Sequence, residues 1–243
     1  MNRFYVPEEN IRQDQIFILR PDDIRHVRKV LRIRPGEELL VTDGEGSSYI
    51  AFLERADADA CVLKVRSRLE KKTREDSKIR LALAVAVPKN TSFEEVIDKG
   101  TQLGVDEFIP LVTQRSSVSL EQIQRKMPRY RRVLEAAACQ SGVLFLPFLR
   151  EPMGFEDFLD VSSCYSLRLL PNLFLQTQTF QDVLKNFSGC RVAACVGPEG
   201  DFTEDEVRLA MARGFQGLNL GDSVLRVDTA AISIAAALRI FLV

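Results

Sequence analysis

Three short segments carry the residue types and spacings that suit a small-molecule site. They are Leu169-Leu170-Pro171-Asn172, Val196-Gly197-Pro198-Glu199-Gly200-Asp201 and Leu220-Gly221-Asp222-Ser223-Val224-Leu225-Arg226. Each ends or follows an apolar run. In open α/β sheets ligands sit outside the carboxyl ends of the strands, so three adjoining loops of this kind imply one pocket. A single such loop would only turn a strand into a helix; the coincidence of three points to a ligand. Gly197 and Gly200 permit positive φ and close backbone approach to a ligand, with Pro198 fixing φ between them. Glu199 is either a ligand contact or a partner for the dipole of a helix starting near Thr203. Arg226 follows two apolar residues, and its planar fork suits an anion or a polarised carbonyl. An ion pair at an interface is the alternative.

Other chemistries are disfavoured by what the chain lacks. No G-x-x-x-x-G-K-[ST] and no G-x-G-x-x-G follows a strand, which argues against a P-loop enzyme and an ordinary dinucleotide fold. There is one histidine, His26, around which any triad would have to be built. The five cysteines, Cys61, Cys139, Cys164, Cys190 and Cys195, include no C-x-x-C pair, so neither a disulfide framework nor a zinc site is expected, and no metal. No apolar run reaches the roughly 18 residues of a spanning helix. The start, MNRFYVPEEN, has no apolar signal region. A cytoplasmic protein with reduced thiols and no membrane partner is expected.

The elements that must position these loops are legible in the periodicity. The chain has 243 residues, 46% apolar and 28% charged, which is globular and excludes collagen, coiled coil and wholesale disorder. Short apolar or alternating runs at 4–6, 15–19, 38–42, 49–53 and 61–65 predict strands, separated by turn signals such as Pro35-Gly36 and Asp43-Gly44. One helix interrupts them, capped by Asp22 or Asp23, with Ile24, Val27, Val30 and Leu31 at helical spacing. A small β-barrel follows for residues 1–70. Residues 68–80 are almost free of apolar side chains and read as solvated, with 71–79 as the linker proper.

Beyond the linker, strand and helix alternate. Near-continuous apolar runs at 80–87, 107–112, 144–148, 164–170, 191–196 and 217–220 predict parallel strands covered on both faces. Ser92 to Glu95 and Thr203 to Glu206 have capping-box spacing; Phe202 and Val207 form a staple around the second, and Gly214 closes it. Residues 80–243 are therefore an α/β domain with a mostly parallel sheet. Its last segment, from Asp228 to Val243, is apolar nearly all round and predicts a helix buried on most faces, as at a subunit interface.

Charge is uneven although the net is −1. Residues 1–34 hold eight basic and five acidic side chains, and residues 81–243 hold 16 and 19. Arg25, Arg28 and Arg32 are predicted on one side of the early helix, where they would suit phosphates; a solvated face is the plain alternative. Arg125, Lys126, Arg129, Arg131 and Arg132 form a second cluster, and together the two favour RNA as a partner.

These segments, taken in order, resemble the knotted SPOUT methyltransferases, and most closely the RsmE-type 16S ribosomal RNA uridine-N3 methyltransferases. The resemblance rests on Gly197-Pro198-Glu199-Gly200, on Leu220-Gly221 followed by Val224-Leu225-Arg226-Val227-Asp228-Thr229-Ala230, on Arg3-Phe4-Tyr5-Val6, and on His26-Val27-Arg28-Lys29-Val30-Leu31-Arg32 with Pro35-Gly36. Pro88-Lys89, Lys99-Gly100-Thr101-Gln102-Leu103-Gly104-Val105 and Arg115-Ser116 agree as well. It implies an N-terminal PUA-like β-barrel, a C-terminal trefoil knot, a homodimer, and S-adenosylmethionine held by Leu170, Pro171, Gly197, Pro198, Glu199, Gly200, Leu220, Gly221, Val224 and Leu225. It implies an enzyme of ribosomal RNA processing acting on 16S RNA or the small subunit. Arg226 is the candidate for stabilising charge on the uracil, Asp228 for base or orienter, and Arg3, Arg25, Arg28 and Arg32 for phosphate contacts. The chain departs from the family pattern at Val227 and Asp228, which replace Thr and Glu, at Asp201, which replaces Gly, and at Cys139 and Val143. Periodicity does not show the knot, and unknotted chains are the rule. A non-catalytic RNA-binding or ribosome-assembly protein on the same scaffold is the competing function. A nucleotide-dependent oxidoreductase fits the α/β pattern but lacks its glycine fingerprint.

Overall fold

In a computed structural model the chain is described over residues 1–76, 79–174, 177–185 and 187–242. It divides into two compact units, Met1–Ser77 with Ala138–Leu146, and Lys78–Ala137 with Pro147–Val243.

The first unit is a six-stranded sheet of β1 (Asn2–Tyr5), β2 (Ile11–Arg12), β3 (Gln15–Ile18), β4 (Glu38–Thr42), β5 (Ser47–Ala56) and β6 (Cys61–Lys71), in the order β1-β4-β5-β6-β3-β2. β1 runs parallel to β4; the other pairs are antiparallel. Alternation buries Leu39 and Val41 of β4 with Leu53 and Leu63 of the long hairpin. Three register irregularities between β5 and β6 bend that hairpin so that the sheet curls around this core. β6 is longer than its apolar pattern predicts. It continues to Lys71, with Arg68 over the Tyr49 ring and bonded to Ser47, so part of the charged stretch is strand, and a 3₁₀ turn, Arg74–Asp76, follows. Linker residues 77 and 78 lie outside the described residues.

The early helix differs from expectation at both ends. Helix α1 (Pro21–Arg25) starts with proline at its first position and has no side-chain cap, so neither Asp22 nor Asp23 performs that role. It continues as one π-helical turn, His26–Val30, closed by the Leu31 N–H on the His26 carbonyl at 2.9 Å. The chain then reverses through Arg32 at φ 52, because Ile33 turns inward, buried, with its N–H on the Val27 carbonyl. Arg32 is therefore outside the helix. Residues 138–146, expected in the C-terminal domain, pack with this unit: Gly46 N–H donates to Leu144 O and Leu146 N–H to Gly44 O. The strand expected at 144–148 is reduced accordingly.

The second unit contains β7 (Arg80–Ala86), α2 (Ser92–Gln102), β8 (Glu107–Val112), α3 (Leu120–Ser141, whose last turn belongs to the first unit), β9 (Phe148–Leu149), β10 (Met153–Gly154), α4 (Phe155–Val161), β11 (Leu167–Pro171), α5 (Phe180–Leu184), β12 (Arg191–Val196), α6 (Glu204–Ala212), β13 (Gln216–Leu218) and α7 (Val227–Leu242). All strand pairs are parallel, in the order β10-β8-β7-β12-β11-β13, with β9 also on β8. On one face Ala82, Ala84, Ala193 and Cys195 pack with the phenylalanines of α4, with Phe202 just before α6 and with Val207 of α6. α2 and α7 pack together, and α7 reaches across β7 and β12. Thr203 and Glu206 form the expected capping box, and Gly214, at φ +82, ends α6. Ser92 forms none: it is the first residue of α2, buried, with its N–H on Asn90 Oδ1 at 2.9 Å. β11 begins later than predicted because Ser162–Cys164 is a 3₁₀ turn. α7 buries one stripe, Val227, Ala230, Ala231, Ile234, Ala235 and Leu238, rather than its whole circumference; Ile240 and Phe241 are exposed.

Tyr130 of α3 is fully buried, edge-on to Phe93 at 4.9 Å, and its hydroxyl has no partner among the described residues. Burial, and then the Glu94 carboxylate, push its pKa up to about 12. Tyr130→Phe is expected to stabilise the fold by about 1 kcal/mol at neutral pH, since it removes an unsatisfied buried hydroxyl. The difference should widen above the ordinary tyrosine pKa of about 10, where the unfolded chain ionises and the folded chain does not. Paired denaturant titrations from pH 7 to 11 check both; equal stabilities throughout would mean that the hydroxyl is solvated.

Candidate functional site

The three loops converge. The ends of β11, β12 and β13 and the start of α7 enclose a cleft of about 310 Å³, within the range of small-ligand sites. Its wall includes Pro171, Gly197, Pro198, Glu199, Gly200, Leu220, Gly221, Val224 and Leu225, nine of the ten residues expected there. Leu170, the tenth, is fully buried in the core beneath and does not reach the surface of the cleft. Asn172, Leu173, Phe174, Val196, Asp201, Leu218, Asn219, Ser223, Val227 and Ala230 also line it. Asn172, Val196, Asp201 and Ser223 stand inside the quoted loop segments, and Val227 and Ala230 inside the segment that carries the family resemblance; Phe174 carries no such signal.

The loop after β12 works differently from its sequence expectation. Neither Gly197 nor Gly200 takes positive φ; the left-handed position is Asp201, at φ 57. Gly197 is small for packing, since a Cβ there would lie 3.0 Å from the Phe202 ring. Asp201 Oδ2 accepts the Leu173 N–H at 3.1 Å, and Oδ1 the Phe202 N–H at 2.8 Å. Glu206 closes its capping box and also accepts the Gln114 N–H at 2.8 Å, which ties the start of α6 to the turn after β8.

Arg226 and Asp228 do not line the cleft, but Val227 between them does. Arg226 Nε lies 3.7 Å from Asp228 Oδ1, with the arginine side chain 73% exposed and the aspartate 20%. A fork at the rim, steered by a half-buried carboxylate, can meet a second reactant that arrives from outside. Buried tyrosines and thiols offer no base: burial, and then the Glu107 carboxylate, raise the Tyr165 pKa, burial and then Glu206 raise that of Cys195, and neither residue lines the cleft.

In the first unit Arg25, Arg28 and Arg32 are exposed, Arg25 in a surface ion pair with Asp22. Arg3 is placed otherwise. Its Nη1 donates to the Cys139 carbonyl at 3.3 Å, and the guanidinium lies against Gly142, so it holds the last turn of α3. No cluster of metal-binding side chains occurs among the described residues, and no described helix is long and apolar enough to cross a membrane.

Residues 75–239 match the RNA methyltransferase domain family, and residues 19–66 the RNA methyltransferase PUA domain. The chain belongs to the RNA methyltransferase family. It is 33% identical over 210 residues to the ribosomal RNA small subunit methyltransferase E of Synechocystis sp., covering 85% of this chain and 67% of that protein. The Legionella pneumophila protein Lpg2936, solved with bound cofactor SAM, superposes with a TM-score of 0.87 at 31% identity, covering 98% of this chain and 96% of the other. The ribosomal RNA small subunit methyltransferase E of Neisseria gonorrhoeae, solved with S-adenosyl methionine, does so at 0.86 and 26%, covering 99% and 97%.

Proposed function

We propose that the cleft binds S-adenosylmethionine and that the chain methylates N3 of a uridine in 16S ribosomal RNA. The cleft carries the reading. Among the described residues its wall is peptide groups, apolar side chains and the neutral polar side chains of Asn172, Asn219 and Ser223, and its only ionisable lining residues are the carboxylates Glu199 and Asp201. Two carboxylates oppose a phosphate-bearing nucleotide and favour a ligand with sulfonium and ammonium charges. The open space beside Gly221, where a Cβ would meet nothing within 4 Å, leaves room at the backbone of the third loop. Family membership and the two cofactor-bound relatives support the same reading.

When bound, the cofactor supplies an electrophilic methyl group. The chain's residues do the remaining work. The three loops orient the donor, and much of the rate comes from that positioning. Arg226 donates to a uracil oxygen as N3 loses its proton, and Asp228 orients the guanidinium. With the buried tyrosines and Cys195 away from the cleft, the proton passes to a carboxylate or to water. Arg25, Arg28 and Arg32 hold RNA phosphates, while Arg3 keeps its structural place. The trefoil knot and the homodimer belong to this reading; the exposed Ile240 and Phe241 at the end of α7 support the homodimer.

Mass mapping of modified uridines in small-subunit RNA, from cells with and without this gene, tests the proposal. One 3-methyluridine should disappear with the gene. An unchanged uridine pattern would return the chain to a non-catalytic RNA-binding role.

A further inference from the structure

The two loops that face each other across the cleft are joined by two side chains, Arg115 from the turn after β8 and Asp201 from the loop after β12 itself. Arg115 stands on the tight turn Thr113–Ser116, which is closed by the Ser116 N–H on Thr113 O and by the Thr113 N–H on Ser116 Oγ at 2.9 Å. The neighbouring Gln114 N–H is held by buried Glu206, so the turn is fixed to the base of α6. From there Arg115 Nη1 reaches the Gly200 carbonyl at 2.7 Å and the Phe202 carbonyl at 3.2 Å. Its guanidinium also lies over the Phe174 ring, 5.9 Å from the centroid. One cation thus touches both the loop after β12 and the loop after β11.

Asp201 makes the reciprocal connection. It sits in the β12 loop at φ 57, a left-handed conformation that is strained for a non-glycine residue. Its Oδ2 accepts the Leu173 N–H of the β11 loop at 3.1 Å. The next N–H, of Phe174, is taken by Asn172 Oδ1 at 3.1 Å. The Asn172–Phe174 turn is therefore bonded inside itself and then to Asp201. Phe174 and Asp201 both line the cleft, so these bonds set the distance between its two walls.

We infer that Arg115 and Asp201 form a clamp that preorganises the cofactor cleft by holding the Asn172–Phe174 turn against the Gly197–Phe202 loop. Arg115 is a positioning residue that acts on the cleft through the loops it joins; Asp201 joins the loops in the same way and also lines the cleft. The inference rests on the reading that S-adenosylmethionine occupies the cleft. A site held open in its bound shape loses less entropy on binding, so the clamp acts on cofactor affinity. Asp201 accepts strain to provide the bond, and glycine there would relax the backbone but release the loop.

Asp201→Gly and Arg115→Gln separate this role from a structural one. Calorimetry with S-adenosylmethionine should show affinity weakened about fivefold in Asp201→Gly and about tenfold in Arg115→Gln, in line with the loss of one bond or of a charge-assisted pair. Steady-state rates should show KM for the cofactor rising with KM for RNA unchanged. The Tm of Asp201→Gly should equal or exceed that of the parent, because the left-handed strain is gone. Because both residues hold the same pair of loops, the double variant should lose less than the product of the single losses. Parent affinity in both variants overturns the clamp, and so does a Tm that falls in step with affinity. If the parent chain itself binds no S-adenosylmethionine, the reading of the cleft fails and the clamp fails with it.

Discussion

Arg226→Lys should lower single-turnover methylation roughly 100-fold while leaving S-adenosylmethionine affinity unchanged. The size is that of losing one donor aimed at charge that develops in the transition state. Lysine keeps the charge but loses the planar fork that can address a uracil oxygen and Asp228 together. Cofactor affinity should stay constant because Arg226 is outside the cleft wall and mostly exposed. Rapid-quench methylation beside calorimetry reads the two quantities separately. A parallel fall in both would make Arg226 part of the cofactor site, and full activity would move catalysis elsewhere.

The largest expected effect on RNA comes from the exposed basic side chains of the first unit. The variant Arg25→Ala, Arg28→Ala, Arg32→Gly should weaken RNA binding about 100-fold near 0.1 M salt and lower the log–log salt slope by about two to three. Glycine is the replacement at Arg32 because φ there is 52. Folding stability should barely change, since the Arg25 pair with Asp22 is on the surface. Titrations of ribosomal RNA fragments at several salt concentrations measure the slope. An unchanged slope would make these arginines a solvated face. Arg3 is left out of this variant because its guanidinium holds the end of α3.

The parallel sheet and the cleft loops are legible in local composition and spacing. β7, β8 and β12 are apolar runs covered on both faces, a pattern that local composition carries without help. The Thr203–Glu206 capping box and the Gly214 stop are likewise local, because each bond closes within one turn of helix. Nine of the ten expected cleft residues lie in its wall, since a loop at the carboxyl end of a parallel strand has one side on which to meet its neighbours. What depends on contacts far apart in sequence emerges once the chain is folded. Residues 138–146 look like part of the second unit until Gly44 and Gly46 take their backbone bonds. Arg32 leaves its helix because Ile33 must reach the core of the curled sheet. Arg3 reads as a free cation until a carbonyl 136 residues away claims it. Asp201 reads as a departure from the glycine pattern, and its bond to Leu173 exists only once β11 and β12 lie side by side. Helical and strand periods are fixed by neighbours along the chain, whereas the partner of a polar side chain is fixed by which loops the sheet order brings together.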